Sequence, residues 1–350
     1  MTTPEPAPRV LFVIQGFEVD MSRRRVLQYL PRFREDGIEC EVLEKPKSFL
    51  KRLVQYRRFG GFDTVLVQRY RYQPWDLAVV RRAARSLVYD FDDAVMVPNS
   101  LSEKRTSRSR EARFRRMAAA MDCVFAGNAF LAEKARAFCP WVEVIPTSLD
   151  VTAYAARSWP ASPPPEVTIG WIGAPTSLHY LEALRPVWDR VHDACPETRL
   201  KIVSRAFFDC ERMPVVKKYW QLHEEAADLQ TFDIGLMPLT MDEWSEGKCA
   251  LKILQCHAAG VPVVCTPVGM NKEAVTEGET GYWAVTPEEW VEKLRLLVRD
   301  PEARIRMGAA GRQRVEERYS LQAVAPRMAG VFRRLREKSR GCGGLMGTTS

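Results

Sequence analysis

Two lysines four residues apart, Lys248 and Lys252, stand in the run Glu246-Gly247-Lys248-Cys249-Ala250-Leu251-Lys252-Ile253-Leu254. On a helix that spacing sets both ammonium groups on one face. Lys252 also interrupts an apolar stretch, so a charge sits where burial is the rule. A hydrogen bond from a charged group contributes about 1.5 to 3 kcal/mol, which suits the pair to a diphosphate; a solvated face is the plainer alternative. Two further segments have phosphate-loop character. Gly173-Ala174-Pro175-Thr176-Ser177 is a small-residue turn that offers Thr176 or Ser177 as the N-cap of a following helix, whose first amides can hold an anion. In Thr266-Pro267-Val268-Gly269-Met270-Asn271-Lys272-Glu273, Gly269 permits close backbone approach, and the amides of Met270 and Asn271 open another helix. A capped helix and a tight turn are the respective alternatives.

The first half of the chain carries acids instead. Asp90-Phe91-Asp92-Asp93 closes an apolar run, and Asp92 or Asp93 could act as a base on an acceptor hydroxyl, hold an amino group, hydrogen-bond structurally or bind a metal. Gly16, Phe17 and the run Arg23-Arg24-Arg25 follow the first apolar segment, and arginine suits bidentate phosphate binding. A solvated helix start explains that run equally well.

These residues need a frame. Strand-like segments at 10–14, 38–43, 64–68, 87–91, 123–126 and 142–145 alternate with helix-like segments at 22–34, 48–58, 75–85, 103–120 and 129–138. Such alternation implies a parallel sheet covered on both faces. Proline-rich 154–166 is the best linker. The pattern restarts with strands at 167–172, 199–204, 234–237, 262–266 and 281–284, helices at 177–194, 250–259 and 272–276, and a loop-rich stretch between 204 and 230. Helices at 287–298, 301–318 and 321–338 close the chain. The expected division is a 1–153 acceptor-side domain, a 154–166 linker, a 167–318 donor domain, a 319–340 helix packing back on the first domain, and a disordered 341–350 tail. In open α/β sheets ligands bind beyond the carboxyl ends of the strands, which is where the loops named above fall.

Composition limits the partners. With 46% hydrophobic and 27% charged residues over 350 positions, the chain is globular and long enough for two domains. The net charge of +8 is spread widely, and its sharpest run, 104–116, suits a solvated helix, an anionic partner or membrane headgroups. With no aromatic but Phe114, that run argues against nucleic acid. No signal peptide or membrane span is apparent, so a cytoplasmic protein is expected. Nine scattered cysteines without a Cys-x-x-Cys pair read as reduced, mostly buried thiols and not as a disulfide framework or zinc site. All four histidines follow residue 150, and His257 is expected in the core.

Three segments carry a family resemblance: Ile169-Gly170-Trp171-Ile172-Gly173, Asp233-Ile234-Gly235-Leu236-Met237-Pro238-Leu239, and the block GKCALKILQCHAAGVPVVCTPVGMNKEAVTEGETGYWA from Gly247. They resemble the donor domain of retaining GT-B glycosyltransferases of group 1, the grouping that includes sucrose synthase and bacterial mannosyl- and glucosaminyltransferases. The resemblance covers about 120 residues and is weak by motif in the N-terminal half. It implies an α/β GT-B fold of two Rossmann-like doubly wound domains facing a central cleft. It also implies a nucleotide-sugar donor on the C-terminal domain, a small-molecule, glycan or lipid acceptor on the other, and neither cofactor nor metal. The family's Glu-x7-Glu pair maps to Gly247 and Gln255, so both carboxylates are absent, with Glu246 adjacent to the first. Gln255 could still hydrogen-bond ribose, while Asn271 and Glu273 match the loop that contacts the transferred sugar. The function implied is glycosyl transfer with retention, by same-face attack and with leaving-group stabilisation dominant. A sugar-nucleotide epimerase of similar shape and a noncatalytic partner subunit are the alternatives.

Overall fold

The computed structural model describes residues 7–46, 48–159 and 166–343. The chain forms two compact units: unit 1 comprises Met1–Ser148 with Leu321–Ser350, and unit 2 comprises Leu149–Ser320. The chain therefore passes between units at 148/149 and again at 320/321, where sequence reasoning put the first crossing in the 154–166 linker. The reason is visible in the described part of that segment. Arg157 donates to Gln230 O at 2.8 Å and to Asp233 Oδ1 at 2.6 Å, and its amide donates to Ala259 O, so this stretch is part of unit 2. Residues 160–165 lie outside the described ones.

Unit 1 is built on β1 (Arg9–Ile14), β2 (Glu39–Glu44), β3 (Thr64–Gln68), β4 (Leu87–Phe91), β5 (Cys123–Ala126) and β6 (Val142–Val144), all parallel, in the order β2-β1-β3-β4-β5-β6. The central strands are continuous apolar runs because helices cover both faces, while the edge strands β2 and β6 remain half-exposed. One side of the sheet packs Phe12, Tyr29 and Phe33 against Val324, Met328 and Phe332 of the long helix Leu321–Gly343. Phe33 meets Phe332 edge-on at 5.7 Å between ring centres. That helix absorbs residues 341–343 of the expected disordered tail, and 344–350 are outside the described residues.

Unit 2 has β7 (Val167–Ile172), β8 (Thr198–Ser204), β9 (Val215–Tyr219), β10 (Ile234–Met237), β11 (Val263–Cys265) and β12 (Gly281–Trp283), also parallel, in the order β12-β11-β10-β7-β8-β9. Its core centres on Trp171, Trp188 and Trp290. Strand order reverses at β7/β10 in unit 2 and at β1/β3 in unit 1, so the loops after those strands flank each unit's expected binding crevice.

Two expectations of regularity fail. Strand β9 and the helix Glu225–Gln230 occupy the region read as loop; β9 is a half-exposed edge, and its sequence VVKKY lacks the apolar run that marks inner strands. The single helix expected over 177–194 is broken into a 3-10 turn Pro175–Ser177, a helix Leu178–Glu182 and a helix Arg185–Ala194, the last begun by Pro186 at its first turn.

Candidate functional site

The carboxyl edge of unit 2 gathers the residues of all three loops. Gly173 follows β7, and a Cβ there would stand 2.6 Å from Lys252 Cε and 2.6 Å from Trp171 Cζ2. Glycine is thus the only residue that leaves room for the Lys252 stem, which crosses the loop and puts its ammonium 5.3 Å from the Trp171 ring centre. The lysine's charge is carried to the strand reversal at β7/β10. Lys248 lies earlier in the same segment, its ammonium 4.5 Å from the Trp244 ring centre. Between them Ala250 takes a left-handed backbone (φ 52) and is buried, a strained conformation for a residue with a Cβ. The strain is stored at the start of the helix Leu251–Ala258 that aims Lys252.

Glu246 ties this segment to the loop after β11. Its Oε2 accepts from the Gly269 amide at 2.9 Å, and a Cβ on Gly269 (φ 52) would be 2.5 Å from the Glu246 carbonyl oxygen. Asn271 is fully buried, with Nδ2 donating to Thr266 O at 2.9 Å and its amide to Val268 O at 3.1 Å. Asn271 therefore braces the loop, where an open amide was expected. Met270 N is without a hydrogen bond among the described residues, and Glu273 is exposed, its carbonyl taking Arg314. At the first loop the expected N-cap is absent: Ser177 Oγ donates to Ala174 O at 3.0 Å and caps nothing, and Thr176 lies within the 3-10 turn.

Gln255 does not stand alone. Its Nε2 donates to Glu225 Oε1 at 2.6 Å, the Tyr154 hydroxyl donates to the same oxygen at 3.0 Å, and Trp220 Nε1 donates to Oε2 at 3.1 Å. A carboxylate from Glu225, thirty residues upstream, thus stands against the side chain at position 255. Sequence reasoning missed it because no local pattern links the two; Glu225 becomes visible only as the first residue of a helix that starts at this edge. Arg205 after β8 lies 5.7 Å from the ring centre of Trp220 after β9. His179 was also missed. Its ring lies 3.9 Å from that of Tyr180 at a tilt of 40°, its Nε2 is buried with no hydrogen-bond partner among the described residues, and burial lowers its pKa against the smaller pulls of the Thr176 backbone and Asp242.

Unit 1 treats its charges differently. Asp90, expected as one of three clustered carboxylates, is fully buried in a pair with Arg25: Arg25 Nε donates to Oδ2 at 3.2 Å, NH2 to Oδ1, and NH1 to Ile145 O at 2.7 Å. Asp92 and Asp93 share Arg69, whose Nε is 3.4 Å from Asp92 Oδ1 and whose NH2 donates to Asp93 Oδ2. Arg69 itself adopts φ 53. Burial raises the Asp92 pKa despite the opposing guanidinium, and Asp93, with a side chain 15% exposed against 4% for Asp92, is the outermost carboxylate of the cluster. Of the run Arg23-Arg24-Arg25, the first two pair with Asp20 and Arg25 is spent inside, so Arg23 is a helix-surface residue. Phe17 is held by Glu44, whose Oε1 accepts from Phe17 N at 2.7 Å, and the Gly16 carbonyl accepts from Val19 N at 3.2 Å.

Among the described residues no group of three or more His, Cys, Asp or Glu could hold a metal ion, and no helix is long and apolar enough to cross a membrane. Six of the described cysteines are buried thiols, with Cys40 and Cys210 half-exposed, and all are free.

Residues 229–314, which hold the lysine segment and the loop after β11, match the family model described as glycosyl transferases group 1. The chain carries a group 1 glycosyltransferase domain on the GT-B fold. Among curated relatives, spore coat protein SA of Bacillus subtilis is 30% identical over 85 residues, 23% of this chain and 22% of that protein. D-inositol 3-phosphate glycosyltransferase of Corynebacterium urealyticum is 31% identical over 108 residues, 30% of this chain and 24% of that protein. The matched stretches thus span less than a quarter of these relatives' length. Among solved structures, sucrose-phosphate synthase from Thermosynechococcus elongatus superposes with a TM-score of 0.72 at 13% identity, covering 94% of this chain and 99% of that one. Anabaena HepE in complex with UDP and glucose gives a TM-score of 0.64 at 12% identity, covering 92% and 98%. These likenesses concern the fold of both units, while the family match is confined to unit 2.

Proposed function

We propose that this protein transfers a sugar from a nucleotide-diphosphate donor bound by unit 2 to a hydroxyl or amine acceptor, with retention at the anomeric carbon. The observation that supports it best is the crossing of Lys252 over Gly173, because a glycine kept to admit a lysine stem at a strand reversal is a device for presenting charge to a ligand. Lys248, Lys252 and the Met270 amide take the diphosphate. Glu225 and Gln255, one helical turn behind Lys252, take the ribose hydroxyls. As the glycosidic C–O bond breaks, negative charge develops on the leaving diphosphate, and ammonium groups fixed in advance stabilise it with no reorganisation. The acceptor oxygen attacks from the face the diphosphate leaves, and its proton passes to the departing phosphate oxygen. Asp93, held by Arg69, orients the acceptor. Two lysines supply the charge that other phosphate sites draw from a divalent cation, so activity is expected to survive a chelator. The buried thiols and the donor class fit a cytoplasmic setting.

A thermal-shift panel of UDP, GDP, ADP and dTDP tests the donor site, since binding to the folded state raises its stability by mass action. One nucleotide should shift the melting temperature, and Lys248→Ala with Lys252→Ala should abolish the shift. A shift undiminished in that double variant refutes the phosphate assignment. Same-face attack is lost as a mechanism if a glycosyl-aspartate at Asp92 or Asp93 can be trapped. Turnover of the nucleotide-sugar into an epimer with no acceptor present would favour the epimerase alternative.

A further inference from the structure

The helix Phe49–Arg57 of unit 1 turns Phe49, Leu50 and Val54 outward. A surface helix ordinarily buries its apolar stripe and shows polar groups to water. Here the inward face is polar: Gln55 Nε2 donates to Glu44 O at 2.8 Å, the Tyr56 hydroxyl donates to Asp76 Oδ1 at 2.6 Å, and Arg52 Nε is 3.2 Å from the same oxygen. The outward face presents Leu50, 70% exposed, and Val54, 63% exposed, one turn apart. Phe49, half-exposed, extends the patch to Trp75, with ring centres 4.8 Å apart. Asp76, beside Trp75, is buried beneath Arg52, and the helix's own stretch of sequence carries charge of one sign. From 45 to 62 the sequence holds Lys45, Lys47, Lys51, Arg52, Arg57 and Arg58 and not one acid. Lys51 and Arg57 are exposed and have no ion-pair partner among the described residues.

We infer that this face docks on an anionic lipid bilayer, with Leu50, Val54, Phe49 and Trp75 entering the headgroup boundary and Lys51 and Arg57 meeting lipid phosphates. Aliphatic and aromatic residues flanked by unpaired cations are what an interfacial helix requires, and each cation near such a surface adds to the attraction. The basic run at 104–116 lacks half of this equipment. The helix Arg108–Ala119 exposes its arginines but buries Phe114 and Met117, so it can attract a charged surface without inserting into it.

Co-sedimentation of the full chain with vesicles tests the inference. The protein should pellet with phosphatidylcholine vesicles containing phosphatidylglycerol and stay in solution with phosphatidylcholine alone. Leu50→Glu with Val54→Glu should weaken binding about tenfold or more, and Lys51→Glu with Arg57→Glu should weaken it and flatten its salt dependence. All four side chains are exposed, so unchanged thermal melts would separate lost docking from lost folding. No binding to the anionic vesicles overturns the inference, as does binding indifferent to Leu50→Glu with Val54→Glu. Binding lost only on charge reversal of Arg113 and Arg116 would move the contact to the other helix. A concentration-dependent dimer abolished by the Leu50 and Val54 changes, without vesicle binding, would give the face to a second copy of the chain.

Discussion

The two sheets share an architecture but place the cations at their carboxyl edges in different surroundings. In unit 1 the charges satisfy one another: Arg25 with Asp90 inside the core, and Arg69 with Asp92 and Asp93 at the rim. In unit 2 the ammonium groups of Lys248 and Lys252 lie 4.5 and 5.3 Å from tryptophan ring centres, the Lys252 stem passes over Gly173, and burial keeps His257 neutral. A doubly wound sheet therefore does not dictate a ligand site. What differs is the setting of the cations: unit 1 buries guanidinium–carboxylate pairs, whereas unit 2 sets two lysine ammonium groups near tryptophan rings.

The largest effect expected from breaking this contrast is on stability. Asp90→Ala strands the Arg25 guanidinium in a dry interior, which costs about 3 to 5 kcal/mol, whereas replacing both partners with apolar residues should cost much less; urea melts of the single and double variants check the asymmetry. Equal losses would mean the pair is not the unit of stability. On the other side, Lys252→Ala should leave the urea midpoint in place but lower kcat/KM by about 10²- to 10³-fold, the range for removing one preorganised charge-stabilising donor.

His257 gives a pH test. Burial holds its pKa down to about 4, while Nε2 lies 3.1 Å from Thr280 O. The unfolded chain binds a proton below about 6.5 and the folded one does not until about 4, so stability falls with pH across that window, by about 3 kcal/mol in all. His257→Gln, which can still donate to Thr280 O, should remove that acid limb; stability curves at pH 7.5 and pH 4.5 compare the two proteins. The smallest change is Gly173→Ala. The new methyl collides with Lys252 Cε and Trp171, costing about 1 to 3 kcal/mol of overpacking, and it should raise the KM for the donor by displacing the ammonium. A variant with wild-type KM would show that Lys252 does not need that path.

Much of the frame was legible in the chain. Inner strands such as β3, β4, β7 and β10 are continuous apolar runs between turn residues, and β-strand periodicity leaves them few other roles. Edge strand β9 escaped because half its residues face water. The lysine loop was legible because Lys252 breaks an apolar helix, a local contradiction that needs a reason. Its partners were not. Glu225 on Gln255 and Arg25 on Asp90 join residues thirty and sixty-five positions apart, pairings created by sheet order, to which no spacing rule applies. Asn271 misled for the same reason: only the folded loop shows its backbone amide spent on Val268 O and its side chain on Thr266 O.

The final helix has one more consequence. Because Leu321–Gly343 completes the hydrophobic side of the first sheet, unit 2 sits in the chain as an uninterrupted insert, and unit 1 is assembled from the two ends of the polypeptide. During synthesis, the insert can finish folding while Phe12 and Phe33 still wait for Phe332 to leave the ribosome. Unit 1 must hold its open face for the time needed to translate roughly half the protein, the interval in which exposed apolar surface invites aggregation. A nonsense codon near the end would spare every candidate ligand-binding residue and still remove one wall of the first core.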